Sequence, residues 1–170
     1  MKQTFVIHKG WHFSFPRRPK LWKPRNVNAI TFEYDFSDAS YFIPELADQE
    51  DWNKVCGIAT EIFPNKNSVI LGHRYNPYTD THQACIYINR PDGSHYVDPE
   101  SIVTGITGKC TLFIDNITGS AGGWITRTGK EGKMTKVDFY RDFPFLYRIQ
   151  PYFGGNQKAP NKVKYHLTLP

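Results

Sequence analysis

The sequence predicts an all-β protein built as an antiparallel β-sandwich, and three of its features support that prediction. Aromatic residues are abundant (12 Phe, 10 Tyr and 4 Trp), and the chain contains 13 Gly and 12 Pro. Short alternating runs recur along the chain, and clusters of turn-forming residues separate them. No repeat period is present. Short strands at spacings of about ten to fifteen residues are typical of two packed antiparallel sheets.

The C-terminal run shows the clearest strand pattern. Its apolar side chains point one way and its polar side chains the other: Val163, Tyr165, Leu167 and Leu169 alternate with Lys164, His166 and Thr168. This period of two predicts a half-buried strand at the end of the chain. We therefore expect the C-terminus to be held in a sheet.

Further strands are predicted in chain order over residues 4–8, 10–15, 30–36, 55–63, 68–75, 83–89, 109–117, 123–128, 145–153 and 162–169. Arg90-Pro-Asp-Gly93 lies between two runs and predicts a hairpin turn. The polar and acidic stretch 37–53 predicts a long excursion with one helical turn over 44–48. The length of 170 residues predicts a single domain.

Residues 16–28 interrupt the strand pattern and predict an extended basic arm. Three prolines remove backbone N–H donors that a sheet requires. Five cations keep the segment solvated, and two apolar residues give it an anchor. These residues predict a partner-binding surface made of Arg17, Arg18, Lys20, Leu21, Trp22, Lys23 and Arg25.

The charges of the N-terminal third are separated into blocks. Seven basic residues and no acid lie between Met1 and Thr31, and seven acids and no base lie between Glu33 and Asp51. Either the basic block binds an anionic partner, or the two blocks face each other within one chain.

The composition also limits the cellular setting. No apolar run of about 18 residues predicts a transmembrane helix, and no apolar signal core follows Lys2, so we expect a soluble, unprocessed chain. Cys56, Cys85 and Cys110 form no CxxC pair. Small buried thiols in a reducing compartment such as the cytoplasm are the expected state.

The sequence offers one enzymatic alternative. His12-Phe-Ser-Phe15 and His166-Leu-Thr-Leu169 resemble the paired motifs of 2H phosphoesterases. That resemblance implies that His12 and His166 would act as general base and acid on a phosphodiester. We expect no catalytic residues beyond this alternative.

Two polar clusters contain residue types that can bind metal ions. His73 and His82 flank Asp80, but their spacing matches no cupin-type metal motif, and a polar hairpin tip is the favoured interpretation. The residues around the 90–100 turn lack the regular spacing of a calcium loop. We therefore expect no metal and no cofactor.

Exposed tryptophans indicate a second class of binding function. Trp11, Trp52 and Trp124 lie at or near predicted loops or strand ends, where a ring can stack on a sugar. Tryptophan also anchors protein interfaces, and the sequence leaves both uses open. Because no recognised nucleic-acid module is present, nucleic acid is a less favoured partner.

Three blocks carry a resemblance to a known group. They are the C-terminal pattern aromatic-Arg-hydrophobic-x-Pro-Tyr-Phe-Gly-Gly-Asn-x-x-Ala-Pro, residues 7–16, and residues 67–75, where His73 replaces the usual Trp. The chain resembles concanavalin A-like jelly-roll proteins encoded by crAss-like phages of Bacteroidetes. The resemblance implies a jelly-roll fold and a non-enzymatic virion protein, made in the host cytoplasm. Its implied role is an auxiliary capsid protein or a head or tail decoration, bound to capsid or tail subunits or to copies of itself.

Overall fold

The computed structural model describes residues 1–17, 20–61, 66–127, 130–139, 143–154 and 157–170. The protein is nearly all β, and two antiparallel sheets form a sandwich of the jelly-roll type, which confirms the predicted fold class. Among the described residues, no helix is long and apolar enough to cross a membrane.

The strands are numbered in chain order: β1 (Lys2–Ile7), β2 (Leu21–Trp22), β3 (Val27–Asp35), β4 (Asn53–Ala59), β5 (Ser68–Asn76), β6 (Thr81–Asn89), β7 (His95–Val97), β8 (Val103–Thr104), β9 (Thr107–Asp115), β10 (Ser120–Arg127), β11 (Lys130–Glu131), β12 (Thr135–Asp138), β13 (Leu146–Ile149) and β14 (Val163–Thr168). A short helix α1 (Leu46–Gln49) precedes β4, and a 3-10 turn (Pro99–Ser101) follows β7.

The strands form two sheets of mixed sequence order. Sheet A has the order β1-β14-β3-β9-β10-β11, with β12 also paired to β10. Sheet B has the order β2-β13-β4-β5-β6-β7, with β8 also paired to β6. The last strand thus lies inside sheet A, between β1 and β3. The expectation that the C-terminus is held in a sheet is confirmed.

The core lies between the inner faces of the two sheets, as the period of two requires. On β14, Val163, Tyr165 and Leu167 are buried, while the alternate residues are partly exposed. The three cysteines are free and buried, as expected. Burial raises the pKa of the Cys56 thiol to about 12, so the thiol stays protonated at neutral pH.

The connections agree with the predictions where turn chemistry is explicit. The turn at Arg90–Gly93 joins β6 to β7, and Gly93 adopts the left-handed conformation with φ of 85°. The Arg90 N–H donates to the Ser94 carbonyl at 2.8 Å and closes the hairpin. In the acidic excursion, the helical turn forms at α1, close to its predicted position.

The basic arm is partly built into sheet B. Leu21 and Trp22 form β2, which pairs with β13 through the registers Leu21–Tyr147 and Trp22–Leu146. Trp22 packs against the core, whereas Leu21 is 52% exposed. Arg18 lies outside the described residues. The described part of the chain shows no ion pair between the arm and the acidic block of residues 33–51, so it gives no support to an internal pairing of the two blocks.

A hydrogen-bonded chain of polar side chains crosses the core. Tyr165 Oη lies 3.0 Å from His73 Nδ1, and His73 Nε2 lies 3.0 Å from His82 Nδ1. His82 Nε2 then lies 3.5 Å from Ser40 Oγ. One proton arrangement satisfies every donor: Tyr165 donates to His73, His73 to His82, and His82 to Ser40. His73 and His82 are both buried, so the prediction of a polar hairpin tip is wrong for these two residues.

Acid should destabilise the fold because His73 must stay neutral. Burial and the neighbouring His82 hold the pKa of His73 well below its usual range, and burial also lowers the pKa of His82. Below the ordinary histidine pKa of about 6.5, the unfolded chain therefore binds more protons than the folded chain. The free energy of unfolding should be level above this pH and fall below it, by up to about 1.4 kcal/mol per pH unit per histidine. Urea denaturation from about pH 8 to about pH 5 measures this dependence.

A matched pair of variants isolates the cause. His73→Gln should reduce the acid dependence and lower stability at high pH by about 1–3 kcal/mol, because buried hydrogen bonds are lost. His8→Gln removes an exposed histidine and should change neither quantity. A wild-type stability that stays level down to about pH 5 would contradict the assignment.

Candidate binding site

A groove of about 490 Å³ opens beside the segment that follows β1. Its volume lies in the range of about 300–1,000 Å³ that is typical of small-molecule sites. We call it the aromatic groove, and its lining residues are Gly10, Trp11, His12, Phe13, Ser14, Phe15, Arg17 and Lys158.

The first half of the groove is fixed to the C-terminal segment by backbone hydrogen bonds. Gly10 has a φ of 79°, a conformation that favours glycine, and its N–H donates to the Ala159 carbonyl at 2.8 Å. The Ala159 N–H donates back to the Trp11 carbonyl at 3.0 Å. The Phe153 N–H donates to the His12 carbonyl at 2.7 Å. The backbone around Trp11 is therefore fixed by several hydrogen bonds to the C-terminal segment.

The second half of the groove is held by both sheets. Phe15 exchanges two backbone hydrogen bonds with Val6 of β1, at 2.7 and 2.8 Å. Phe13 bridges to Tyr152, which itself bridges to Lys54 of β4. Residues 13–15 thus close one side of the sandwich between sheet A and sheet B. Because the backbone is fixed, little conformational entropy remains to be lost when a ligand binds.

Large aromatic side chains are exposed along this fixed segment. Trp11, Phe13 and Phe15 are 54%, 45% and 63% exposed, whereas Ser14 between the two phenylalanines is buried. Exposed apolar side chains that cluster in this way mark interaction sites, in contrast to the scattered ones that any surface carries.

The groove is electropositive. The Arg17 guanidinium carbon lies 4.2 Å from the centroid of the Phe13 ring, in cation–π contact. Lys158 contributes a second exposed cation, and no acid is among the lining residues. Phe13 also packs edge-on against Tyr152, with ring centroids 5.1 Å apart. The arrangement favours an anionic ligand with an apolar face.

Ser14 is buried between the two exposed phenylalanines. Its hydroxyl oxygen is buried and has no hydrogen-bond partner among the described residues. Buried hydroxyls are usually hydrogen-bonded in folded proteins. This hydroxyl is enclosed by the protein, so it lies out of reach of a ligand in the groove.

The three tryptophans predicted to bind sugars lie on different surfaces. Trp11 lies in the aromatic groove. Trp52 is half-buried outside sheet B, and the Arg74 guanidinium carbon lies 4.5 Å from its ring centroid. Trp124 is half-buried on β10, where it pairs across the sheet with Thr111. Since Arg74 covers one face of Trp52, Trp11 is the best placed of the three for stacking.

The predicted arm residues lie along one continuous segment. Arg17 lines the groove, and exposed Lys20 leads into β2. Lys23 and Arg25 follow β2 and are also exposed. The groove and the edge of sheet B are therefore successive parts of the same stretch of chain.

His12 and His166 have separate sets of partners. The His12 Nδ1 lies 3.1 Å from the Phe153 carbonyl oxygen. His166 Nδ1 lies 2.9 Å from Thr4 Oγ1, and its Nε2 lies 3.2 Å from Asp38 Oδ2. None of these contacts is shared by the two imidazoles. The contacts therefore give no support to a two-histidine phosphodiesterase site.

The residues of the two polar clusters have structural hydrogen-bond partners. His73 and His82 bond to each other, and Asp80 accepts a hydrogen bond from the Tyr75 hydroxyl at 2.8 Å. Asp98 caps the 3-10 turn by accepting from the Glu100 N–H at 3.0 Å. Among the residues that the structure describes, no group of three or more His, Cys, Asp or Glu could hold a metal ion.

No family model and no curated protein matches the sequence. Among solved structures, the chain is similar to a functionally unknown protein from Saccharomyces cerevisiae, with a TM-score of 0.53 and 11% identity over 99% of this chain and 88% of that chain. Stonustoxin gives a TM-score of 0.47 and 15% identity over 89% of this chain and 22% of that one. The CBM40 domain of Ruminococcus gnavus IT-sialidase, bound to alpha2,3 sialyllactose, gives a TM-score of 0.39 and 8% identity over 84% of this chain and 75% of that chain. The similarity to the yeast protein indicates a shared fold over nearly the whole of this chain.

Trp11 should be the tryptophan most accessible to a dissolved quencher. It is more than half exposed, and the other three tryptophans are half-buried. Iodide should quench it more strongly than caesium, because Arg17 and Lys158 attract anions. Stern–Volmer titrations of the wild type and of Trp11→Phe measure the difference, and Trp124→Phe is the matched control. Equal loss of iodide-sensitive fluorescence in the two variants would contradict this geometry.

Proposed function

We propose that the protein is a non-enzymatic binding domain whose aromatic groove holds a saccharide with an acidic group. The observation that carries this proposal is the exposure of Trp11, Phe13 and Phe15 on a backbone held by both sheets. Contiguous exposed apolar patches mark interaction sites, so a fixed row of exposed rings favours a binding role.

The chemistry of the groove agrees with such a ligand. The C–H face of a pyranose ring is apolar and packs on an aromatic ring such as that of Trp11. A carboxylate or sulfate on the sugar would bind the guanidinium of Arg17 and the ammonium of Lys158 by charge-assisted hydrogen bonds. No acid in the lining opposes the charge of the ligand.

A glycan array that contains matched neutral and acidic saccharides tests this proposal, followed by calorimetry on the best ligand. Trp11→Ala should weaken binding at least tenfold, which corresponds to about 1.4 kcal/mol. Arg17→Gln should weaken binding of acidic glycans and spare neutral ones, because it removes only the charge-assisted contact. The two variants thus separate stacking from charge recognition.

Tyr78→Ala is the matched control, since Tyr78 is an exposed aromatic residue on the β5–β6 turn. It should leave glycan binding unchanged. If no glycan binds, or if Tyr78→Ala weakens binding as much as Trp11→Ala, the proposed site is wrong.

A second candidate function is that of a subunit of a phage particle, in which the arm binds neighbouring virion proteins. The sequence resemblance supports the setting, and the edge strand β2 supports the contact. β2 pairs only with β13 among the described strands, and exposed Lys20 and Lys23 flank it. An open sheet edge with cations is a surface on which an acidic extended segment can add a strand.

Mass spectrometry of purified particles tests this second function. The chain should be present in a fixed copy number, and the double variant Lys20→Glu/Lys23→Glu should lower that number without changing the melting temperature of the free protein. Both side chains are exposed, so their loss removes no core packing. Detection only in infected-cell lysate, and never in particles, would exclude the role.

A further inference from the structure

We propose that a second copy of this chain docks onto the basic edge of sheet B through its acidic turn. The basic edge is residues 20–25, which include β2, and the acidic turn is residues 42–51, which include α1. The proposal deepens the particle-subunit role by naming one partner of its contact surface, and it is independent of the aromatic groove.

The basic edge is an open surface with one sign of charge. Lys20, Lys23 and Arg25 are exposed, and the described contacts include no ion pair to any of them. Leu21 is 52% exposed on the same edge. The backbone is held in place because the Arg148 N–H donates to the Lys20 carbonyl at 2.9 Å. The edge therefore presents an apolar side chain among three cations on an ordered backbone.

The acidic turn is its counterpart in charge. It carries Glu45, Asp48, Glu50 and Asp51 and no base, and Phe42 in the same turn is 52% exposed. Buried Gln49 fixes the turn: its side chain accepts from the Ile43 N–H at 2.6 Å and donates to the Tyr75 carbonyl at 2.5 Å. Burial raises the pKa of Asp51 and neighbouring Asp48 adds to the shift, whereas Lys54 opposes it.

The two surfaces lie at opposite ends of one sheet. The acidic turn ends where β4 begins, at Asn53. β2 lies beside the other end of β4, because Leu21 pairs with Tyr147 and Tyr147 pairs with Ala59. At about 3.3 Å per residue, the strand path from Asp51 to Ala59 is roughly 26 Å long. The two surfaces of one molecule are therefore too far apart to meet.

Separation of opposite charges along one sheet favours association between copies. The acidic turn of one molecule can reach the basic edge of the next, where four acids face three cations and Phe42 can pack near Leu21. Such a contact uses two different surfaces of the same chain, so it is heterologous and can continue from copy to copy. Its charges would steer the encounter and make it sensitive to salt.

Sedimentation velocity over a concentration series tests the proposal on the purified full chain. The wild type should associate at low salt and dissociate as salt rises. Lys20→Glu/Lys23→Glu and Glu45→Lys/Glu50→Lys should each remain monomeric alone, because like charges then face each other. An equimolar mixture of the two double variants should associate, since each supplies the surface that the other lacks.

Lys136→Glu/Lys162→Glu is the matched control for Lys20→Glu/Lys23→Glu. It changes the net charge by the same amount at two exposed positions outside both surfaces. It should associate as the wild type does. A wild type that is monomeric at every concentration and salt would overturn the proposal, as would variants that associate normally or a mixture that stays monomeric. Circular dichroism verifies that each variant is folded. None of these substitutions lies in the aromatic groove. Glycan binding by the monomeric variants therefore tests the proposed saccharide site separately from the proposed self-association.

Discussion

The hydrogen bond between Tyr165 and His73 joins the two sheets inside the core, and much of the architecture depends on it. Tyr165 belongs to β14, the strand that sheet A holds between β1 and β3, and His73 belongs to β5 of sheet B. Both residues are fully buried, so each would leave the other unsatisfied if it were lost. The bond therefore fixes how the sheets face each other, where apolar contacts alone would allow small shifts.

The aromatic groove follows from that fixed arrangement of sheets. β1 belongs to sheet A, and the segment after it must reach across to the 150–153 segment beside sheet B. Residues 13–15 make this crossing with backbone bonds to both sides. Their exposed rings are consequently part of the closure of the sandwich, and the position of the groove is set by the core.

The sequence predicted the longer strands from two patterns. β9 and β14 alternate with a period of two, and β4, β5 and β6 are short, nearly continuous buried runs. β14 is the clearest case, and the Arg90–Gly93 hairpin follows from its turn residues. The strands β2, β7 and β11 were missed because two or three residues are too few to show a period. The prolines on either side of β2 also indicate a segment without pairing. Leu21 and Trp22 nevertheless pair with β13, because this edge strand needs backbone hydrogen bonds on one side only.

The site was less predictable than the fold, since periodicity gives an alternation without saying which face is inside. Phe13 and Phe15 alternate with Ser14, and apolar patterning alone would place the phenylalanines in the core. The structure buries Ser14 instead. The burial of His73 did leave a signal: it follows Val69 and Leu71 at a spacing of two, on the inner face of β5. The position of His73 in the strand is therefore a better guide to its burial than its polarity is.

The three buried thiols can serve as probes of local opening of the two sheets. Cys56 lies on β4, Cys85 on β6 and Cys110 on β9, so both sheets contain one or more. Each is buried and protonated, so a thiol reagent in solution must wait for the surrounding strands to separate. The rate at which each sulfur is modified therefore reports how often its own strand opens. Three positions of one unmodified chain can in this way compare the opening of sheet A with that of sheet B.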